Sequence, residues 1–121
     1  MNGSNCYFID ITNNFIQHYF ELLSTDTKTL EKMYAQNCKL INGTQKFEGK
    51  EAVYKEILTL QGFSLGNDAK FIGQPYGNQN GIIINTSAKI NSRPVSVTFV
   101  LSEINQLTHQ FGITFQLIHP C

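Results

Sequence analysis

The sequence predicts an α+β fold in one domain, with three N-terminal helices packed on an antiparallel sheet. Two observations carry this. The stretch Phe15–Leu23, FIQHYFELL, places apolar residues at helical spacing. Later in the chain, three successive segments alternate apolar and polar residues with period two. A length of 121 residues is that of one domain, residues 1–121, and no repeat, linker or low-complexity segment divides it.

The first helix is expected from about Asn5 to Leu23. Phe8, Ile11, Phe15, Tyr19 and Leu22 form its inner stripe, widened by Ile16, Phe20 and Leu23. Ser24, Thr25 and Asp26 break it, and each has an oxygen able to cap the next helix. That second helix is expected over Lys28–Gln36, with Leu30, Met33 and Tyr34 inward. A short strand, Cys38–Asn42, follows, and Gly43 turns the chain. Gly49 precedes a third helix beginning near Lys50, with Val53, Ile57 and Leu60 buried and Tyr54 and Leu58 alongside.

After Gly62 the period changes. Lys70–Gln74 reads as a strand ended by Pro75. In GIIINTSAKI, Ile82, Ile84, Thr86, Ala88 and Ile90 share one face. In PVSVTFVLS, Val95, Val97, Phe99 and Leu101 do the same. In the last strand, His109, Phe111, Ile113, Phe115 and Leu117 are expected on the apolar face, opposite Gln110, Gly112, Thr114 and Gln116.

Nine basic residues balance nine acidic ones, and only 15% of the chain is charged. A nucleic-acid binder needs a basic field to neutralise phosphates, so that class is not expected. A hydrophobic content of 41% supports a real core and argues against disorder. No apolar run reaches membrane-spanning length, so no membrane association is expected. Cys6, Cys38 and Cys121 lack metal-like spacing, and neither a metal nor a cofactor is expected. Asn2, Asn42 and Asn85 begin glycosylation-type triplets. No secretory leader pattern opens the sequence, so the expected setting is a reducing one.

Several motifs in this order resemble the nuclear transport factor 2 family: FIQHYFELL, TLEKMY, FEGKEAV over Phe47–Val53, VSVTFVL, and FQL at Phe115–Leu117. The likeness covers nearly the whole chain. It implies a cone in which a strongly bent sheet wraps the helices around an internal cavity. It also implies a non-enzymatic adaptor in nucleocytoplasmic transport, in protein import or messenger-RNA export, residing in cytoplasm and nucleus and at the nuclear pore. Expected partners are a second copy or an export receptor, together with Phe-Gly nucleoporins. Phe8 aligns with an aromatic that seats Phe-Gly repeats, though it can equally staple the helix start. Ile41, Leu60 and Phe63 are the candidate cavity mouth, with a fully packed core as the alternative. Asn85, Ser87, Thr98, Thr114 and Gln116 mark the sheet face on which this family dimerises.

Departures from the pattern narrow the expectation. Family members that carry GDP-bound Ran ring the cavity mouth with acidic residues. The corresponding positions here are Asn42, Gly43, Asn91 and Arg93, which weighs against Ran-GDP as a partner. LINGTQKFEG is closer to the export-receptor partners.

Two other classes remain open, a cavity enzyme of the isomerase or dehydratase type and a dimerising scaffold domain. The enzyme reading lacks a catalytic set. His18 and Tyr19 are adjacent on a helix and diverge by about 100°. Asp68 sits in a turn-like context, and His109 pairs with no carboxylate at a defensible spacing. Lys50 after Gly49 lacks the remaining features of a phosphate loop.

Overall fold

The computed structural model describes residues 3–66, 72–76, 81–105 and 110–121. Helix α1 spans Gly3–Thr25 and is followed by the short α2, Thr27–Glu31. Strands β1 (Tyr34–Asn42) and β2 (Gln45–Glu48) form a hairpin, and Gly49 leads into α3, Lys50–Thr59. The rest is sheet: β3 (Ser64–Leu65), β4 (Ile72–Tyr76), β5 (Gly81–Ile90), β6 (Arg93–Asn105) and β7 (Gln110–Pro120). The architecture is the expected α+β one. The seven-stranded sheet runs β2-β1-β7-β6-β5-β3, with β4 also pairing β5. Its pairings are antiparallel except β1 with β7, which are parallel.

The inner face of α1 is centred on Thr12, Ile16, Tyr19 and Leu22, all buried, with Ile11, Phe15, Phe20 and Leu23 packed at its margins. The buried centre therefore includes a threonine that the apolar stripe left out. Gly73 on β4 explains the fit: any Cβ there would overlap the Thr12 side chain, so helix and strand meet without one. Tyr19 lies at the hub of an aromatic cluster, 4.9 Å from Phe99 and 6.4 Å from Phe63 by ring centroids. The steeply tilted ring planes at these contacts suit the ring quadrupoles.

The second helix is shorter than the Lys28–Gln36 expected. Asp26 caps it by accepting from the Thr29 amide at 3.2 Å and from its hydroxyl at 2.6 Å. Lys32 ends it, and Tyr34 already begins β1. Pairing overrides helix propensity here, since the Ile113 amide donates to the Met33 carbonyl at 2.8 Å and draws the chain onto β7. In α3, Val53 and Ile57 are buried, whereas Leu58 is left 46% exposed. Pro75 lies inside β4 rather than ending it. Among the described residues this strand pairs with β5 alone, and such an edge accommodates proline. Residues Asn91 and Ser92 both have positive φ, 52° and 67°, making a two-residue hairpin turn between β5 and β6.

Strands β5 and β6 keep the expected alternation, with Ile82, Ile84, Thr86 and Ala88 inside against Val95, Val97, Phe99 and Leu101. Strand β7 does not. Leu101 pairs with Ile113 but Val100 pairs with Phe115, so Thr114 is one residue too many, a β-bulge. Beyond it the faces exchange: Gln116 and Ile118 are buried, and Phe115 and Leu117 turn outward.

Candidate functional site

Three regions of this frame bear on function: the polar centre of the core, the outer face of the sheet, and a groove beside α1.

At the core centre, Tyr19 and Tyr34 hydroxyls stand 2.7 Å apart, and Tyr34 donates to Gln116 Oε1 at 2.7 Å. Gln116 Nε2 donates back to the Tyr19 hydroxyl at 3.2 Å, closing a triangle. Tyr34 comes from the start of β1, Tyr19 from the middle of α1, and Gln116 from the part of β7 that the bulge reverses. All three groups are buried and mutually satisfied. Burial pushes the Tyr19 phenol up to about 12, against the lowering effect of its bonds to Tyr34 and Gln116. Burial likewise holds Tyr34 well above its ordinary value, reinforced by Tyr19 beside it. Both phenols are neutral at physiological pH, and the triangle has the chemistry of a packed core network. His18 points the other way, onto the exposed side of α1.

Gln116 is therefore not on the outer face, where the alternation of the sequence placed it. It is 0% exposed, because the Thr114 bulge shifts the register by one residue. Asn85, Ser87, Thr98 and Thr114 do lie outward. Asn85 Nδ2 donates to the Thr98 hydroxyl at 2.9 Å and to the Ser96 hydroxyl at 3.2 Å, while Thr114 and Ser102 hydroxyls are 3.2 Å apart. Between these polar groups runs a band that sequence reasoning missed. Ile83 pairs with Val100 and Val100 with Phe115; in the next row Leu117 pairs with Ile41. All five side chains are half-buried. The adjacent Leu117–Ile118 pair was a faint signal that the alternation could not hold to the end of β7.

The expected cavity mouth is divided by the sheet. Phe63 is buried in the aromatic cluster, 5.3 Å from Phe20, and Leu60 packs beside the core. Ile41 alternates with buried Leu40 and looks out from the opposite face. Near the mouth, Asn42 Nδ2 donates to Glu56 Oε2 at 3.1 Å, so α3 supplies a carboxylate beside a position that is itself uncharged. The Asn91 amide ties the hairpin turn to the Gln61 carbonyl at 2.9 Å.

The groove beside α1 has a volume of about 530 Å³. Its floor is Ile11, Phe15, Met33, Leu101 and Phe111, and its rim is Asn14, Gln17, His18 and Glu21, all from α1. Among the described residues no cluster of metal-ligating side chains occurs. Burial raises the Cys38 thiol, and Cys121 is exposed. Phe8 lies in α1, but its side chain is outside those described; Asp68 and His109 are outside the described residues altogether.

A bent mixed sheet wrapped on a long first helix defines the class, an α+β cone. A sequence model described as the nuclear transport factor 2 (NTF2) domain matches residues 11–106, and the chain belongs to that family. Solved structures agree on the fold. Nuclear transport factor 2 from Cryptosporidium parvum superposes with a TM-score of 0.71 at 20% identity, covering 94% of each chain. The C. albicans Mtr2–Mex67 M domain complex matches with a TM-score of 0.67 at 12% identity, over 90% of this chain and 92% of the other. A Pectobacterium atrosepticum protein of unknown function gives 0.69 at 13% identity, over 99% and 94%. No curated protein sequence matches the chain.

Proposed function

We propose that this chain is a non-enzymatic adaptor in nucleocytoplasmic transport that works as one half of a dimer. The observation that carries the reading is the apolar band of Ile83, Val100, Phe115, Leu117 and Ile41 on the outer sheet face, bordered at β1 and β2 by the exposed Lys39–Glu48 ion pair. Charge is depleted and aromatic side chains are enriched at interface cores, which fits this face better than a solvated one. The likeness to the Mtr2–Mex67 M domain complex, an assembly of two proteins, supports a paired state. The partner is a second copy or an export-receptor domain, and Phe-Gly nucleoporins would engage Phe8 near the start of α1. The working place is the cytoplasm, nucleus and nuclear pore. In the described core the polar groups of Tyr19, Tyr34 and Gln116 are spent on one another, which favours a structural role for these three.

Light scattering on the purified chain, followed by affinity capture from native extract, tests this. A dimer, or a monomer that captures an export receptor, is expected, and Phe115→Lys should abolish either pairing while leaving the fold intact. A monomer that captures no transport component, or one whose captured partner is unaffected by Phe115→Lys, overturns the reading.

A further inference from the structure

Strand β7 fits the sheet in two registers. In the observed one Thr114 is bulged, Phe115 and Leu117 face outward, and Gln116 and Ile118 face the core. Let Thr114 instead pair with Val100, and every later residue moves on by one place. Phe115 then stands opposite Phe99, and Leu117 opposite Val97, both of which line the core. Gln116 faces outward opposite Thr98, and Ile118 opposite Ser96. His119 replaces Pro120 opposite Val95, at a strand end where both are now exposed. A one-residue slip normally drives polar residues into a core. Here it drives two apolar ones in, because Phe111, Ile113, Phe115 and Leu117 already alternate in the sequence.

Polar bonds hold the observed register. Gln116 is joined to Tyr34 and Tyr19 at 2.7 and 3.2 Å, and the Thr114 hydroxyl donates to the Val100 carbonyl at 3.2 Å. Against these bonds stands the exposure of two large apolar side chains. The slip gives up the bonds, keeps the contact between the two tyrosine hydroxyls, and buries Phe115 and Leu117. The net worth of a few hydrogen bonds and the burial of two such side chains are of the same order, so the two registers lie close in free energy.

We propose that β7 is a two-register switch that controls pairing through the outer sheet face. In the bulged register Phe115 and Leu117 complete the apolar band with Ile83, Val100 and Ile41. In the regular register they sink into the core, and Gln116 takes a place on the surface between Thr98 and Ile41. An unpaired chain gains by hiding the two side chains, and a partner offsets that gain by covering them. Pairing therefore selects the bulged register, and its apparent affinity falls with the fraction of chains in the other. The proposal rests on the pairing reading and adds regulation to it.

Saturation-transfer NMR on an unpaired chain reads the switch. Ile83→Lys blocks pairing from β5 and leaves β7 intact. In that background the amides of residues 114–118 are expected to exchange with a minor state of about 1–10% population on the μs–ms timescale. Deleting Thr114 there should abolish the exchange, because the regular ladder then holds Gln116 inside. Gln116→Lys should lock the other register, since the slip carries to solvent a charge that is costly to bury unpaired. That variant is expected to fold and to show cross-strand contacts of Phe115 with Phe99 in place of Val100. It should reproduce the minor-state shifts and pair more than about tenfold more weakly than the wild type. No exchange at residues 114–118, exchange that survives the deletion, or a folded Gln116→Lys chain that keeps Phe115 opposite Val100 overturns the proposal. If Gln116→Lys does not fold, the exchange and its loss on deletion decide the matter. A chain that pairs through its sheet without exchange refutes the switch alone, whereas one that exchanges but never pairs refutes the pairing reading and keeps the two registers.

Discussion

Strands β5 and β7 flank β6 on either side and face the same core, yet they use their sequences differently. Along β5 every second residue is buried from Ile82 to Ala88, and the exposed positions are those the alternation names. Along β7 the alternation is already blurred at Gly112, buried beside Ile113, and is reversed at Thr114. One extra residue moves a glutamine into the core and a phenylalanine and a leucine onto the surface. The difference shows that period-two patterning fixes a face only while the ladder is regular, and that a bulge trades a core position for a surface one without changing composition.

Deleting single residues breaks the comparison most severely. Removing Asn85 from β5 would invert every later side chain of that strand, placing Ser87 inward and Ala88 outward. The chain is expected to lose its cooperative unfolding transition by circular dichroism. Removing Thr114 instead takes out the bulge and leaves Gln116 and Ile118 inside. That variant is expected to fold, with a lower melting temperature because the hydroxyl contacts to Ser102 and the Val100 carbonyl are lost. Equal damage from the two deletions would show that the bulge is not the register device.

Alkaline pH probes the polar core that the bulge builds. The folded Tyr19 phenol titrates at about 12 and the unfolded one near 10. The fold favours the protonated form, so this contribution is fully present below about pH 10 and is lost as pH rises toward 12. The shift corresponds to roughly 3 kcal/mol. Urea unfolding between pH 9 and 12 should show a shallower decline for Tyr19→Phe than for the parent chain, and parallel declines would remove Tyr19 from the account.

Gln116→Leu comes next. It leaves the Tyr34 hydroxyl without its acceptor and the Tyr19 hydroxyl without a donor, at a cost of about 1–3 kcal/mol despite the added apolar surface. Adding Tyr34→Phe should recover part of that loss in a double-mutant cycle. The smallest effect belongs to β5, where buried Thr86 makes one local bond of 3.3 Å to the Ser87 carbonyl. Thr86→Val should change stability by less than about 1 kcal/mol, and a loss as large as that of Gln116→Leu would erase the contrast between the strands.

Much of the fold was legible because its signals are local. The stripe on α1, the turn residues Gly43 and Gly49, and the alternation of β5 and β6 each follow from neighbouring residues. The boundary of α2 was not, because Tyr34 answers to partners on α1 and β7 rather than to its own turn of helix. The outer face was half legible. Asn85, Ser87, Thr98 and Thr114 obey the alternation, whereas Gln116, Phe115 and Leu117 depend on a bulge that no local residue announces. The mouth assignment of Ile41 failed for a related reason, since a strand residue and its neighbour Leu40 serve opposite faces. The groove residues were scattered over α1, Met33 and the far ends of β6 and β7, and only the folded chain gathers them.

The parallel pairing of β1 with β7 carries a consequence for the birth of the protein. Tyr34 finds its neighbour at Ile113, and Lys39 at Phe115, across more than half the chain. A ribosome delivers α1, α2 and the β1–β2 hairpin early, but the strand that joins them to β6 arrives after the rest of the sheet. Closing so long a loop is slow, and until it closes the edge of β1 and the aromatic flank of α1 stand open to other chains. Nascent copies are then most prone to mispair, so chaperone dependence during synthesis should exceed what the stability of the finished domain suggests.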